Sequence, residues 1–156
     1  MLPLYTAVVT EGRRAHWYAD GEVPDTLDGR FDMIAAILSL VLLRLEREPD
    51  RKQESVWLTE TFVDDMDGQL REIGIGDVVV GKHIGRMMSA LGGRISAYRS
   101  GLAEGGDLAQ ALVRNLYRGA APSDAALAHV ARAIQRFATD LDAATTDAIL
   151  AGDLPR

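Results

Sequence analysis

Gly76-Asp-Val-Val-Val-Gly81-Lys82 has the spacing of a phosphate-binding loop, G-x-x-x-x-G-K, in which backbone amides and a lysine cradle phosphate oxygens. The context of that motif is missing. The next residue must be Ser or Thr to hold magnesium, and here it is His83. The loop must follow a strand, whereas the residues before it repeat with a helical period. Three consecutive valines are also poor material for amides that wrap an anion. No nucleotide site is expected at Gly76 to Lys82.

A second candidate lies just upstream. Asp64-Asp65-Met66-Asp67 resembles the opening of the aspartate-rich helix motif of prenyl-transferring enzymes. That motif chelates magnesium between carboxylates at i and i+4, but position 68 is Gly, and no second aspartate-rich motif follows. Magnesium held by few carboxylates also needs substrate phosphates to complete its shell. A solvated acidic helix face is the simpler reading. A magnesium-dependent all-α enzyme of prenyl or phosphate substrates, using Asp64, Asp65 and Asp67, stands as the alternative function. Such an enzyme needs a deep cavity with inward carboxylates from two helices, whereas a binding protein needs an open groove.

The remaining composition removes several chemistries. There is no cysteine, so disulfides, thiolate zinc sites and cysteine nucleophiles are excluded. His16, His83 and His129 are far apart and form no ligand motif. The net charge of −6 argues against general nucleic-acid binding, which wants a basic surface. Lys52 and Lys82 are the only lysines, so arginine dominates, as in a GC-rich bacterial coding sequence. Met1 to Tyr5 lack the basic start and apolar core of a secretory leader, and Glu11 and Asp20 come too early for a transit peptide. The longest apolar run, Met33 to Leu43, is far short of the roughly 20 residues that span a bilayer.

These residues must be positioned by helices. Leu58, Phe62, Met66 and Leu70 recur every four residues, with Ile73 seven after Met66, which predicts a helix from about Arg51 to Ile73. Gly74 suits its C-terminal turn. Asp77 caps the next helix, to about Glu104, with the stripe Ile84, Met87, Met88, Leu91, Ile95 and Tyr98. Gly81, Gly85, Gly92 and Gly93 fall on it, each costing about 1 kcal/mol relative to Ala, so either a neighbouring helix approaches closely or the helix kinks at Gly92-Gly93.

Upstream, Pro3 to about Ala19 forms a first helix with Leu4, Val8 and Ala15 near one face. Thr26 or Asp28 caps a second, reaching about Glu48 and stopped by Pro49. It is apolar nearly all round, so Met33 to Leu43 should be buried at the centre. Arg30 near its start needs a carboxylate partner, Asp25, Asp64 or Asp65 being the candidates. Downstream, Asp107 caps Leu108 to Tyr117. Ser123 or Asp124 caps a last helix striped by Leu127, Val130, Ala131, Ile134, Phe137, Ala138 and Leu141, with Ala143 to Ala151 less tightly packed. With 47% hydrophobic residues and no alternating strand pattern of useful length, the expectation is all-α: one compact helical bundle over 1–156, of about six helices. Its core spans about 5–104, and C-terminal helices occupy 107–151.

Charge is unevenly spread. Glu46 to Glu72 holds nine acids and four bases, whereas Lys82 to Arg118 holds six bases and two acids. Either the two arms pair with each other or one side of a binding surface is basic.

Several of these segments together carry a family pattern. Phe62-Val-Asp-Asp-Met-Asp67, Leu70-Arg-Glu72, Gly74-Ile-Gly-Asp77, Val80-Gly-Lys82 and Gly93-Arg94 with Tyr98 resemble the ubiquinol–cytochrome c chaperone family. So do Val23-Pro-Asp-Thr-Leu-Asp-Gly-Arg-Phe31 upstream and Arg44-Leu45. The resemblance runs from about Tyr5 to Tyr98. It departs where members often carry a His in the first long apolar helix, here Ala35-Ala36-Ile37. It departs again where many have an aromatic pair before Gly-Arg, here Leu91-Gly92. The resemblance implies an assembly chaperone, not an enzyme, without cofactor or metal. Its client is newly made cytochrome b, on the way to the respiratory ubiquinol–cytochrome c reductase. It implies work in the cytoplasm at the face of the inner membrane, peripheral and not spanning, with no nucleic acid bound. In related eukaryotic systems a second assembly factor and the ribosome take part. The motif residues unsuited to a core are the expected partner contacts: Asp64, Asp65, Asp67, Arg71, Asp77, Lys82 and Arg94. Within the acidic arm, the core stripe leaves room for one inward carboxylate. Asp65 is expected inward and paired with one of Arg30, Arg71, Lys82 and Arg94, and Asp64 and Asp67 outward.

Overall fold

One helix is wrapped by most of the others. The computed structural model describes residues 2–72 and 77–156, and the side chains at 70, 77–81, 83 and 84 lie outside that description. Every element of the described chain is a helix, with no strand. In order come α1 (Leu2–Gly12), α2 (Ala15–Ala19), α3 (Leu27–Leu45), a single 3-10 turn at Pro49–Arg51, α4 (Lys52–Glu72), α5 (Asp77–Leu102), α6 (Leu108–Asn115), α7 (Asp124–Ala143) and α8 (Thr146–Leu150). Six of these have eight or more residues; α2 and α8 are single short turns.

The central helix is α3. Its start is set by Thr26, whose hydroxyl accepts from the Gly29 amide at 3.0 Å. Every residue from Met33 to Leu42 is buried and Leu43 half-buried, as the all-round apolarity requires. Ser39 is tolerated inside because its hydroxyl donates to the Ala35 carbonyl at 2.7 Å. α1, α4, α5 and α7 all pack on α3. Gly29 permits the tight entry: a Cβ there would lie 1.8 Å from the Pro24 carbonyl oxygen.

The expected first helix is divided. Gly12 lies against Ile34, where a Cβ would meet the side chain at 3.0 Å, and Arg14 is extended. The break turns Trp17 inward, 1% exposed, its indole N–H donating to the Glu11 carbonyl at 2.9 Å. Ala15 is thereby carried to the surface, away from Leu4 and Val8.

On α4, Leu58, Phe62 and Met66 are buried; on α5, Leu91 and Tyr98 are buried, Met87 and Ile95 partly so, and Met88 is exposed. The stripe predicted for α5 is one residue too wide at Met88. Among the described residues, a Cβ at Gly85, Gly92 or Gly93 would meet nothing within 4 Å. The expected close helix contact is therefore absent at those three positions, and α5 runs through them as continuous helix. Among the described residues the basic arm meets the acidic arm at its first residue, where Arg99 of α5 reaches Glu46, just beyond α3, at 2.7 Å, whereas Arg94 of α5 turns to Asp32 in α3.

Asp107 and Ser123 cap α6 and α7, accepting from the amides of Gln110 and Ala126. The C-terminal stretch is packed more tightly than its Ala- and Thr-rich composition indicates. Ile149 is fully buried. Arg44, at the end of α3, donates to the carbonyls of Leu141 and Ala144 at 3.0 and 3.1 Å. Those groups belong to the end of α7, where helix carbonyls lack internal donors.

His16 and His129, distant in sequence, meet with Nδ1 to Nε2 at 3.0 Å, joining α2 to α7. Burial lowers the His16 pKa below its ordinary value, Arg14 and His129 add to this, and Asp20 opposes it. A folded-state pKa below the unfolded one means the unfolded chain binds the proton first. Stability is then full above about pH 6.5 and falls as pH drops through that value. Melting temperature measured from pH 8 to 5 is expected to fall less in His16→Gln than in the parent. Parallel curves would show that the pair carries no such linkage.

Candidate functional site

The N-terminal part of α3 carries a buried carboxylate. Asp32 is 1% exposed and would be untenable there alone. Its Oδ1 accepts from Arg94 Nη2 of α5 at 2.7 Å, and its Oδ2 from Arg118 Nε, between α6 and α7, at 2.7 Å. Arg118 Nη2 also reaches Oδ1 at 3.3 Å, and its Nη1 lies 3.3 Å from Asp28. Arg118 sits at φ +51°, a left-handed conformation that costs an ordinary residue about 1–3 kcal/mol; two carboxylates offset that strain. The Arg94 guanidinium also lies over the Phe31 ring, 5.5 Å from its centroid, and Phe31 contacts Phe62 with ring centroids 5.7 Å apart. The Asp32 hub thus fixes three parts of the chain and the ring of Phe31 together.

Above this hub an open groove of about 750 Å³ lies among α3, α4 and α5, with Arg13, just after α1, also on its lining. Phe31, Ile34, Met66 and Met87 give it an apolar lining, with Leu27, 59% exposed, also on its wall. Five arginines line it, Arg13, Arg30, Arg86, Arg94 and Arg118, against Asp28, Asp65 and Glu72. The shape is an open groove rather than an inward-facing cavity.

The expected contact residues are divided by this geometry. Asp65 and Arg94 line the groove; Asp64, Asp67, Arg71 and Lys82 do not. Asp65 is half-buried as expected, but its partners are neutral: it accepts from the Tyr5 hydroxyl and from Gln69 Nε2 at 3.3 Å. Burial first, and this bond second, push the Tyr5 hydroxyl pKa well up. Arg94 is taken by Asp32 instead, and Arg30 by Asp25 at 2.7 Å. Asp64 is exposed; Asp67 is half-buried and paired with Arg71 at 3.1 Å. Lys82 is exposed on α5. The side chain of Asp77 lies outside the described residues, as does Gly76 of the phosphate-loop pattern, while Asp77 to Lys82 begin a helix. The three aspartates of the acidic arm do not converge, and among the described residues no three His, Asp or Glu side chains are placed to hold a metal ion.

Asp65→Ala is expected to cost about 1–3 kcal/mol, because the Tyr5 hydroxyl, in a residue only 6% exposed, loses its acceptor. Asp64→Ala/Asp67→Ala should stay within about 1 kcal/mol of the parent, since the partly exposed Asp67–Arg71 pair contributes little. Urea unfolding of both variants checks this, and equal losses would refute the inward–outward division.

The geometry can now be set beside known proteins. A family model described as ubiquinol-cytochrome C chaperone matches residues 19–155. The chain belongs to the ubiquinol–cytochrome c chaperone family. The match takes in α6, α7 and α8, well past the Tyr98 limit of the motif resemblance. A solved structure described as the Cbp3 homolog from Brucella abortus is 30% identical and superposes with a TM-score of 0.84, covering 98% of this chain and 86% of that one. Among curated proteins, none matches. As a member of this chaperone family, the protein is an assembly chaperone of the ubiquinol–cytochrome c reductase. No described helix is long and apolar enough to cross a membrane.

Sequence reasoning missed Asp32, Arg118, Arg13 and Arg86. One signal was present for Asp32. An aspartate between Phe31 and Met33, at the start of an otherwise apolar helix, requires a partner wherever that helix is buried. Arg118 has no such signal, because its role depends on the turn between α6 and α7.

Proposed function

We propose that the chain binds newly made cytochrome b in the groove above the Asp32 hub and holds it until it joins the reductase. The observation that carries this is the groove itself: apolar side chains under an arginine-rich wall, open to the surface, on a member of a chaperone family. No bond is made or broken in such a task, so the protein acts by shape and charge and not as an enzyme. It works at the cytoplasmic face of the inner membrane, peripherally, and a second assembly factor is a further partner. Asp65 and Arg94 shape the groove. Asp64, Asp67, Arg71, Asp77 and Lys82 extend the contact along α4 and α5, so Asp64→Ala/Asp67→Ala impairs assembly while sparing stability.

Affinity capture from solubilised membranes tests the reading. The tagged parent chain should co-purify cytochrome b. Met87→Glu, which places a charge among the apolar groove side chains, should reduce the yield at least tenfold with helix content unchanged. Absence of cytochrome b from the parent's captured material, with reductase assembling normally in cells lacking the protein, would refute it.

A further inference from the structure

The groove does not end at Arg94. A second one, of about 730 Å³, runs between α5 and α6. Ala90 and Arg94 line both, so the two meet on α5. From Arg86 in the first to Gly101 in the second, α5 advances roughly 22 Å, about four helical turns. In the second groove α5 presents Ala90, Gly93, Ala97 and Gly101, and a Cβ at Gly93 would meet open space.

The charge of this continuous surface is opposite to that of the protein. Its two parts carry six arginines against four acids, Asp28, Asp65, Glu72 and Asp107. The whole chain has 17 bases and 23 acids. Arg30, Arg94 and Arg118 are held by Asp25, Asp32 and Asp28. Asp65 and Asp107 accept bonds from Tyr5 and from the Gln110 amide. Among the described residues, Arg13, Arg86 and Arg114 have no carboxylate within ion-pair distance.

We propose that the two grooves form one trough that receives a single α-helical segment of the client. Its apolar face lies along Met87, Ala90, Gly93 and Ala97, and its acidic side chains meet Arg13, Arg86 and Arg114. The inference rests on the client-binding reading above and adds the shape and charge of what is bound. A helix fits because small side chains let a second helix axis come near, and helix-in-groove recognition seats an amphipathic helix by its apolar face. The acidic requirement follows from guanidiniums that, among the described residues, no carboxylate neutralises.

The test uses the full chain as parent and as Gly93→Leu, Arg114→Glu and Arg86→Glu, with two probes. One is cytochrome b captured from membranes. The other is a set of 20-residue synthetic peptides tiling cytochrome b of the same organism. Gly93→Leu fills space that the protein leaves open and replaces a helix-interior glycine, so it should not lower the melting temperature. Each variant is expected to capture at least tenfold less cytochrome b than the parent. Peptides that join an apolar helical face to two or more acidic residues should bind best, and exchanging those acids for lysine should restore binding to Arg86→Glu.

If the parent captures cytochrome b and Gly93→Leu and Arg114→Glu capture it equally well, the client occupies the first groove alone and the trough is refuted. Binding indifferent to peptide charge refutes the acidic requirement. Binding of phosphatidylglycerol vesicles by the parent, lost in Arg86→Glu while every peptide stays inert, assigns the surface to the membrane and overturns the proposal. Failure of the parent to capture cytochrome b overturns the client reading itself, and this proposal with it.

Discussion

Asp32→Ala is expected to lower the unfolding free energy by about 3–5 kcal/mol, the range for breaking a buried ion pair from one side. The loss falls mainly on Arg94, whose side chain is 12% exposed and which would keep its charge without its carboxylate. Arg118 is 52% exposed and can turn towards Asp28, so it contributes less. Asp32→Asn should lie between, since an amide oxygen still accepts one guanidinium bond but the charge is gone. The informative comparison is Asp32→Leu/Arg94→Met. If the hub serves stability alone, removing both charges together should recover much of the loss. The groove would still be altered, because the Phe31 ring would lose the guanidinium that lies over it. Urea denaturation of the three variants measures the first effect, and cytochrome b capture the second.

Arg44→Ala should cost about 2–3 kcal/mol, the second largest loss expected. The Arg44 side chain is 9% exposed and ties the end of α3 to the end of α7 through the Leu141 and Ala144 carbonyls, with Thr146 Oγ1 at 3.4 Å. Charge-assisted bonds to helix-end carbonyls are stronger than neutral ones and are favoured by the helix dipole. Arg44→Lys should recover only part of the loss, because a single ammonium cannot span two carbonyls as a planar fork does. The segment around Ala144 should become the first site of limited proteolysis in Arg44→Ala. Cleavage elsewhere first, or a loss below about 1 kcal/mol, would show that α8 is held by Ile149 alone.

Most of the scaffold was legible because it depends on local rules. Thr26, Asp107 and Ser123 cap the helices as their side-chain chemistry dictates, and the apolar run Met33 to Leu42, interrupted at Ser39, is buried without exception. What escaped was set by contacts distant in sequence. The break between Gly12 and Ala15 comes from the approach of Ile34, which no periodicity within the first helix announces. Gly85, Gly92 and Gly93 of α5 prompted the opposite error: their helix cost is plain in the sequence, but among the described residues no neighbour lies close enough to justify them. The candidate site was half legible. Asp65 and Arg94 were singled out from a family-like motif and do line the groove, and the acidic arm was expected to take its cations from among Arg30, Arg71, Lys82 and Arg94. Arg71 does serve Asp67, but Arg30 and Arg94 are claimed by Asp25 and Asp32, and Asp65 turns to a tyrosine. A titratable pair is easy to propose from charge, whereas a phenol 60 residues away leaves no trace in a pattern of charges.

The central place of α3 has a consequence for the protein's own synthesis. The chain of this helix is complete once Leu45 has been added, but two of the helices that cover it, α5 and α7, end at Leu102 and Ala143. At elongation rates of about 5–20 residues per second, its last cover arrives roughly 5–20 s later. Through that interval the nascent chain presents an apolar helix only partly covered, by α1 and then α4, and long enough to attract others like it. Before it can shelter an unfinished membrane protein, this chaperone is itself an unfinished chain with an exposed apolar helix.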